Sequence, residues 1–274
     1  MRLGAIGGRA VLVLGDEVAD LATASDGQLG PGLASAYERW DLVREVAASG
    51  PASTGPFDPA RLERPVDPRQ VFAIGLNYHD HAAETGKEVP SIPATFTKFP
   101  ACLGGPYDDI VLSGDTVDWE VELVAVIGRR ADRVAEADAW AHVAGLTVGQ
   151  DISDRTVQWE AGAQFSLGKS YRGYGPLGPV VVSADELADP DDLALRCTLD
   201  GEVVQEARTS GMAFSVAQLI AELSAVVPLQ PGDVIFTGTP AGVGAGRQPP
   251  RFLQAGQVLE STIEGIGTIR NQIC

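Results

Sequence analysis

From Gln70 onward, the apolar positions occur in short runs that are separated by turn residues, as in a chain built mostly from strands. Asp200 and Gly201 predict a hairpin turn between one of these runs and a strand at residues 202–205. Apolar or alternating runs predict further strands at residues 10–14, 71–75, 118–128, 146–149, 193–199, 234–237 and 263–269.

Helical spacing is clearest at residues 216–225, where apolar positions recur at i, i+3, i+4 and i+7. Ser215 and Gln218 are placed as a capping box at the start of this helix. Shorter helical segments are predicted at residues 33–48, 82–87 and 135–143. Because helices are few, parallel βαβ winding is not indicated, and the pattern favours a β-rich α+β fold.

Residues 48–56 are rich in Gly, Pro and Ser, which is typical of a linker. We therefore predict a small N-terminal α/β unit over residues 1–62 and a catalytic domain over residues 63–274.

Acidic residues alternate in the run that begins at Asp118 and continues through Glu120 and Glu122. Side chains two apart in a strand point the same way, so the three carboxylates should share one face. Such a face either binds a divalent cation or is simply solvated, and the segment alone leaves both open.

His81 and Glu84 are three residues apart, so in a helical turn they lie on one face. A carboxylate beside an imidazole fixes its tautomer and raises its basicity, which is the arrangement of a base that takes a proton from water. The alternative is a solvated helix start with a surface histidine.

Asp151 follows the apolar run at residues 146–149, where an acid serves either as a metal ligand or as a cap. Arg155 and Gln158 are polar donors that could bind an anionic substrate. Lys169 lies between small residues and is either solvated or placed to neutralise an oxyanion.

The segment around Thr239 offers a hydroxyl and backbone amides to a carboxylate, and a plain turn explains it equally well. Residues 242–246 have a glycine spacing similar to that of a dinucleotide-binding loop. Prolines at positions 249 and 250 follow instead of a helix, so we reject that interpretation.

A net charge of −17 argues against nucleic acid and anionic membrane surfaces as partners. The sequence shows no apolar run of the roughly 20 residues that a membrane span needs. Cys102, Cys197 and Cys274 form no CxxC pair, so we expect buried free thiols rather than a zinc site. With no signal peptide at the N-terminus, we expect a cytoplasmic protein.

Taken together, these motifs resemble the fumarylacetoacetate hydrolase family, in order, from about Val71 to Asn271. Gln150, Arg172 and His79 depart from residues common in that family, which leaves the substrate open. The matching segments lie at residues 75–84, 96–98, 118–123, 150–153, 168–170, 176–179, 231–242 and 263–268.

The resemblance implies a mixed β-sandwich roll, a homodimer, and a divalent metal, Mg²⁺ or else Mn²⁺ or Ca²⁺. It implies that Asp118 supports the site and that the metal ligands are Glu120, Glu122 and Asp151. The implied catalytic residues are His81, Glu84 and Lys169. The implied substrate contacts are Lys98, Arg155, Gln158 and Thr239.

From this resemblance we expect a metal-dependent hydrolase that cleaves a carbon–carbon bond in a small β-diketo acid of the acylpyruvate type. The alternative is an oxaloacetate-type β-keto acid decarboxylase, or a dienedioate isomerase or hydratase, that uses the same metal-bound enolate. A second alternative is a non-catalytic binding protein with the same fold.

Overall fold

Strands form most of the regular structure in the computed structural model, which describes residues 1–160, 162 and 164–274. In chain order they are β1 (Arg2–Ile6), β2 (Arg9–Leu14), β3 (Glu17–Asp20), β4 (Gly55–Pro56), β5 (Leu62–Glu63), β6 (Val71–Gly75), β7 (Ala94–Thr97), β8 (Leu103–Gly104), β9 (Val117–Asp118), β10 (Val121–Ile127), β11 (Val143–Gln150), β12 (Ser153–Asp154), β13 (Gly175–Val182), β14 (Ala194–Leu199), β15 (Glu202–Arg208), β16 (Val234–Phe236), β17 (Val258–Ile263) and β18 (Gly267–Gln272).

The helices are short and lie between the strands. The α-helices are α1 (Leu21–Ala24), α2 (Leu33–Glu38), α3 (Trp40–Ala48), α4 (His79–Glu84), α5 (Arg155–Glu160) and α6 (Val216–Val226). Single 3₁₀ turns or short 3₁₀ helices occur at Pro59–Arg61, Pro100–Cys102, Glu136–His142, Ala184–Glu186, Thr209–Gly211 and Gly244–Gly246.

Most of the strands in the described part belong to one mixed sheet of 12, whose main path is β4-β3-β2-β1-β13-β11-β10-β16-β6-β7. Its parallel pairs are β16 with β6 and β13 with β8, and the other pairs are antiparallel. A four-stranded sheet, β15-β14-β17-β18, packs beside it, and β12 pairs with β9. This architecture confirms the predicted β-rich α+β sandwich.

Strand β10 is buried on both faces, because the large sheet separates two apolar cores. Leu123 belongs to the core shared with the four-stranded sheet, together with Leu195. Val124 belongs to the core shared with the N-terminal helices, together with Val43. The ends of β10 and its neighbour β11 are therefore held rigidly, and the candidate site lies at one of these ends.

The N-terminal unit is joined to the main sheet by main-chain pairing. β1 pairs antiparallel with β13, with Leu3 opposite Val181. The first four strands thus extend the large sheet to one edge. The division into residues 1–62 and 63–274 stays a prediction about organisation along the chain.

Several predicted elements differ in their bounds. The helix predicted at residues 33–48 is two helices, because Arg39 has φ −124° and ψ 45°, outside the helical range. The segment predicted at 135–143 is a 3₁₀ helix. The strand predicted at 263–269 is a hairpin, because Gly265 takes φ +73° between β17 and β18.

The three cysteines are free, as predicted, but Cys274 is exposed whereas Cys102 and Cys197 are buried. No helix among the described residues is long and apolar enough to cross a membrane.

Candidate active site

Three buried carboxylates meet where β10 begins and β11 ends. Because Val121 pairs with Gln150, Glu120 and Glu122 lie beside Asp151, which follows Gln150. The Asp151 amide donates to the Glu120 carbonyl at 2.9 Å. One oxygen from each of Glu120, Glu122 and Asp151 lies within 4.8 Å of the others. The structure therefore brings together the three predicted metal ligands.

The predicted strand at residues 118–128 is interrupted at residues 119 and 120, between β9 and β10. Asp118 pairs with Ser153 in the small sheet, apart from the ladder that holds Glu122. The prediction that Asp118 shares a strand face with Glu120 and Glu122 was therefore wrong. Asp118 instead accepts hydrogen bonds from Arg155, at 2.7 Å and 2.8 Å.

Three buried cations surround the carboxylates. The Lys169 ammonium lies 2.8 Å from Glu120 and 2.7 Å from Asp151. The Lys98 ammonium donates to Asp151 at 2.6 Å, and a guanidinium nitrogen of Arg155 lies 2.7 Å from Glu120. Buried charges without such partners would be strongly destabilising, so this pairing is a condition for burying the site.

The two glutamates of the site differ in their protonation. Burial opposes ionisation of Glu120, but the charges of Lys169 and Arg155 outweigh it and lower its pKa to about 2. Burial, together with the charges of Asp151 and Glu120, raises the pKa of Glu122 well above its usual range. Glu122 accepts one hydrogen bond, from the Gly238 amide at 2.8 Å.

The donor set fits a divalent cation. Asp118, the two glutamates and Asp151 are four carboxylates that face three cations, and among the described residues no ion pair reaches Glu122. Oxygen ligands of this kind suit hard cations such as Mg²⁺ or Mn²⁺. A bound cation would supply the positive partner that the Glu122 carboxylate lacks.

The predicted His–Glu pair is present on α4, which begins at His79, earlier than the turn predicted at residues 82–87. His81 Nδ1 lies 3.2 Å from Glu84 Oε2, and the imidazole is largely buried. Glu84 Oε1 accepts the Gly242 amide at 3.0 Å, which holds the carboxylate in place. The alternative of a surface histidine at a solvated helix start does not fit this burial.

The predicted substrate contacts are engaged within the protein. Lys98 is fully buried and donates to Asp151 and to the carbonyls of Lys169 and Tyr174. Thr239 donates to the Val121 carbonyl at 2.9 Å. Lys98 and Thr239 therefore support the site in this structure, and their contact with a substrate stays a prediction.

The other two predicted substrate contacts lie one helical turn apart. Arg155 and Gln158 are both buried on α5, and Arg155 donates to the Gln158 side chain at 2.9 Å. Arg155 also contacts Glu120, so these two polar groups adjoin the carboxylates. Their role toward a substrate likewise stays a prediction.

Two glutamines for which the sequence predicted no supporting role hold the chain at the start of β10. The Gln150 side chain accepts the Glu120 amide at 2.8 Å. The Gln205 side chain accepts the Val121 amide at 3.0 Å. Gln205 lies on β15, far away along the chain, and no local pattern connects it to Glu120.

Comparisons with known proteins identify the family of this chain. The family model for the fumarylacetoacetate (FAA) hydrolase C-terminal region matches residues 70–274. A mitochondrial oxaloacetate tautomerase of Rattus norvegicus is 40% identical over 266 residues, covering 95% of this chain and 85% of its own.

Solved structures show the same likeness. A Mycobacterium smegmatis protein provisionally described as HpcE has a TM-score of 0.95 and 48% identity, covering 100% of this chain and 99% of its own. The maleylpyruvate hydrolase of Sphingobium sp. SYK-6, solved with manganese(II) and pyruvate, has a TM-score of 0.81 and 29% identity, covering 100% and 98%.

Proposed function

The chain belongs to the fumarylacetoacetate hydrolase family, and we propose that it interconverts the keto and enol forms of oxaloacetate or a closely related β-keto diacid. The observation that carries this proposal is a buried cluster of three carboxylates together with a buried His81–Glu84 pair whose charge acts on Glu120. Similarity to an oxaloacetate tautomerase over nearly the whole chain supports the choice of substrate. The family assignment predicted from the sequence is confirmed, and the prediction of an enzyme is supported.

The cation would be held by Glu120, Glu122 and Asp151, and we propose Mg²⁺ or Mn²⁺. When bound, such a cation supplies positive charge that favours the enolate form of a keto acid. A manganese(II) ion in a related structure supports a divalent metal without deciding which one is native.

The proton transfer falls to His81. Glu84 lies against Nδ1 and accepts its proton, so Nε2 is the basic nitrogen. In this mechanism Nε2 would remove a proton from C3, the carbon between the ketone and the adjacent carboxylate, and return it to the oxygen of the former ketone to give the enol. The substrate carboxylates would be met by the Arg155 and Gln158 side chains, and no carbon–carbon bond breaks.

Carbon–carbon bond hydrolysis, the reaction first expected from the sequence, is the second candidate. The structural likeness to a maleylpyruvate hydrolase favours it. Hydrolysis needs His81 to activate water, and it needs Lys169 to stabilise an oxyanion. Lys169 is paired with Glu120 and Asp151 in this structure. Burial opposes its charge, but the two carboxylates outweigh burial and raise the pKa of the Lys169 ammonium, so the side chain stays charged.

One experiment separates the candidates. Oxaloacetate is incubated with the Mg²⁺- or Mn²⁺-loaded protein in D₂O and followed by proton NMR. We expect deuterium to replace the C3 protons faster than in the uncatalysed control while oxaloacetate remains intact. Enzyme-dependent pyruvate would instead indicate decarboxylation, and cleavage of acylpyruvates in a parallel assay would indicate hydrolysis.

The His81→Ala variant is the matched test of the proton carrier. We expect the enzyme-catalysed exchange to fall by about two to four orders of magnitude, as is typical for loss of a general base. Unchanged exchange in this variant would rule out His81. The homodimer and the cytoplasmic location inferred from the sequence stay predictions.

A further inference from the structure

The glycine segment, residues 242–246, connects the two halves of the candidate site. At one end the Gly242 amide donates to Glu84 at 3.0 Å. In the middle the amides of Gly244 and Ala245 donate to the Asp118 carboxylate at 2.7 Å and 3.0 Å. One short segment thus holds both the partner of His81 and an acid beside the carboxylate cluster.

The glycines explain how the segment can lie so close to both groups. A Cβ at position 244 would lie 1.8 Å from the Arg251 carbonyl and 2.7 Å from Asp118 Oδ1. A Cβ at Gly246 would lie 2.7 Å from the carboxyl carbon of Glu84. This packing gives the glycine spacing, rejected above as a dinucleotide loop, a structural role.

Asp118 connects the glycine segment to the carboxylates. It is fully buried, and Oδ2 accepts two hydrogen bonds from Arg155, at 2.7 Å and 2.8 Å. Another nitrogen of the same guanidinium lies 2.7 Å from Glu120. Continuous contacts therefore run from Glu120 through Arg155 and Asp118 to the glycine segment, and from there to Glu84.

We propose that Asp118 is a positioning residue that sets the cation site and the His81–Glu84 pair in register through the glycine segment. The inference rests on the proposed function in one respect. The relative position of the cation site and the His81–Glu84 pair matters because both act on one substrate. Asp118 itself touches neither, because Arg155 stands between it and Glu120, and the segment stands between it and Glu84.

The variant Asp118→Asn tests this role with little change in shape. All five groups that reach the Asp118 oxygens are donors: two guanidinium nitrogens and the amides of Trp119, Gly244 and Ala245. An asparagine NH₂ group would face donors in either orientation. The variant must therefore lose contacts to Arg155 or to the glycine segment, and its side chain no longer balances the guanidinium charge.

Two readouts that do not depend on turnover are measured on the full-length protein. Mg²⁺ affinity is measured by calorimetry, and exchange of the Gly242 amide is measured by NMR. In Asp118→Asn we expect Mg²⁺ binding to weaken about tenfold, as for other groups that orient metal ligands. We also expect the Gly242 amide to exchange about tenfold faster. If either readout is unchanged, the coupling role is overturned.

Asp233→Asn is the matched control. Asp233 is as buried as Asp118. Its carboxylate likewise accepts hydrogen bonds, from the Gln70 amide and side chain and from the Gln230 amide, and none of these groups belongs to the candidate site. We expect this variant to be less stable while Mg²⁺ affinity and Gly242 exchange stay as in the wild type. If Mg²⁺ affinity and Gly242 amide exchange change as much in Asp233→Asn as in Asp118→Asn, the cause is general destabilisation, and the proposal is overturned.

Gly246→Ala approaches the coupling from the other end. Its methyl group must displace the Glu84 side chain, because the three atoms nearest a Cβ at this position all belong to Glu84 and none to Asp118 or a cation ligand. We expect kcat to fall about tenfold with Mg²⁺ affinity unchanged, whereas Gly55→Ala, where a Cβ meets nothing within 4 Å, should match the wild type. Unchanged kcat in Gly246→Ala would contradict the inference. A wild type without tautomerase activity would refute only the proposed function, because the affinity and exchange readouts would remain.

Discussion

Glu120 and Glu122 lie two residues apart on the same carboxylate site, yet their electrostatic surroundings differ. Lys169 and Arg155 contact Glu120, whereas Glu122 accepts a hydrogen bond from the Gly238 amide and pairs with no cation among the described residues. The cations lower the pKa of Glu120 to about 2, and burial among like charges raises the pKa of Glu122. Glu122 is therefore the ligand whose proton competes with a cation.

We predict that Mg²⁺ binding to the wild-type protein releases a proton from Glu122 and that affinity rises with pH above the usual carboxyl range. Calorimetric titrations in two buffers of different ionisation enthalpy measure the released proton. Identical heats in the two buffers would contradict a protonated Glu122 in the metal-free protein.

The same group should affect the stability of the metal-free protein. Its folded pKa is raised above the ordinary value of 4.5, so above that pH the folded state holds a proton that the unfolded state has lost. Stability contributed by Glu122 is thus full below 4.5 and declines as pH rises toward the folded value. Glu122→Gln removes this decline, and denaturant unfolding at several pH values compares the two proteins.

At the residue scale, alternation was enough to predict that Glu120 and Glu122 share a strand face. Their grouping with Asp151 as metal ligands came from the family resemblance, and the structure brings the three carboxylates together. The partners of these acids could not be predicted. Arg155 contacts Asp118 because β12 pairs with β9, and this pairing has no local signature in the sequence.

At the scale of elements, helix α6 is where local signals were strongest. Ser215 accepts the Gln218 amide, and the Gln218 side chain accepts the Ser215 amide, so the predicted capping box is present. The helix begins at Val216 as predicted and continues one residue further than predicted, to Val226. The signals in this segment agree, and the helix buries the predicted apolar stripe.

We predict that Ser215→Ala lowers the free energy of unfolding by about 1 kcal/mol, because the first turn loses a side-chain acceptor for the Gln218 amide. Equilibrium denaturation measures the change. Ser53→Ala is the control, since this serine is exposed and its hydroxyl bonds to its near neighbour Gly55. Equal stability of the two variants would show that the capping box contributes nothing.

The strand predicted at residues 118–128 differs from the structure because pairing with distant strands decides where it is interrupted. Alternation continues through residues 118–128, but the chain leaves the ladder at residues 119 and 120. The Gln150 side chain accepts the amide of Glu120 in this interruption, and the Gln205 side chain accepts the amide of Val121, the first residue of β10. A periodicity argument cannot show this, because the compensating acceptors, the side chains of Gln150 and Gln205, come from other strands.

At the scale of the whole molecule, the sheet is continuous across the boundary predicted between residues 62 and 63. The Gly, Pro and Ser-rich composition of residues 48–56 did indicate a boundary between two parts of the chain, and the match to the family model begins soon after it, at residue 70. Composition could not show that β1 pairs with β13, since this contact joins residues about 180 apart. Leu3 and Val43 also lie in one core with Val124 of the main sheet.

We therefore predict that residues 63–274 alone do not fold to a monodisperse protein. Their expression without residues 1–62 leaves one edge of β13 unpaired and uncovers apolar side chains around Val124, which favours aggregation. Size-exclusion chromatography and the dispersion of amide NMR signals measure the outcome. Residues 1–62 supplied as a separate fragment are the control, and they should restore solubility by adding β1 back to the edge. A dispersed spectrum from residues 63–274 alone would show an autonomous domain, and the N-terminal strands would then be an accessory to the sheet.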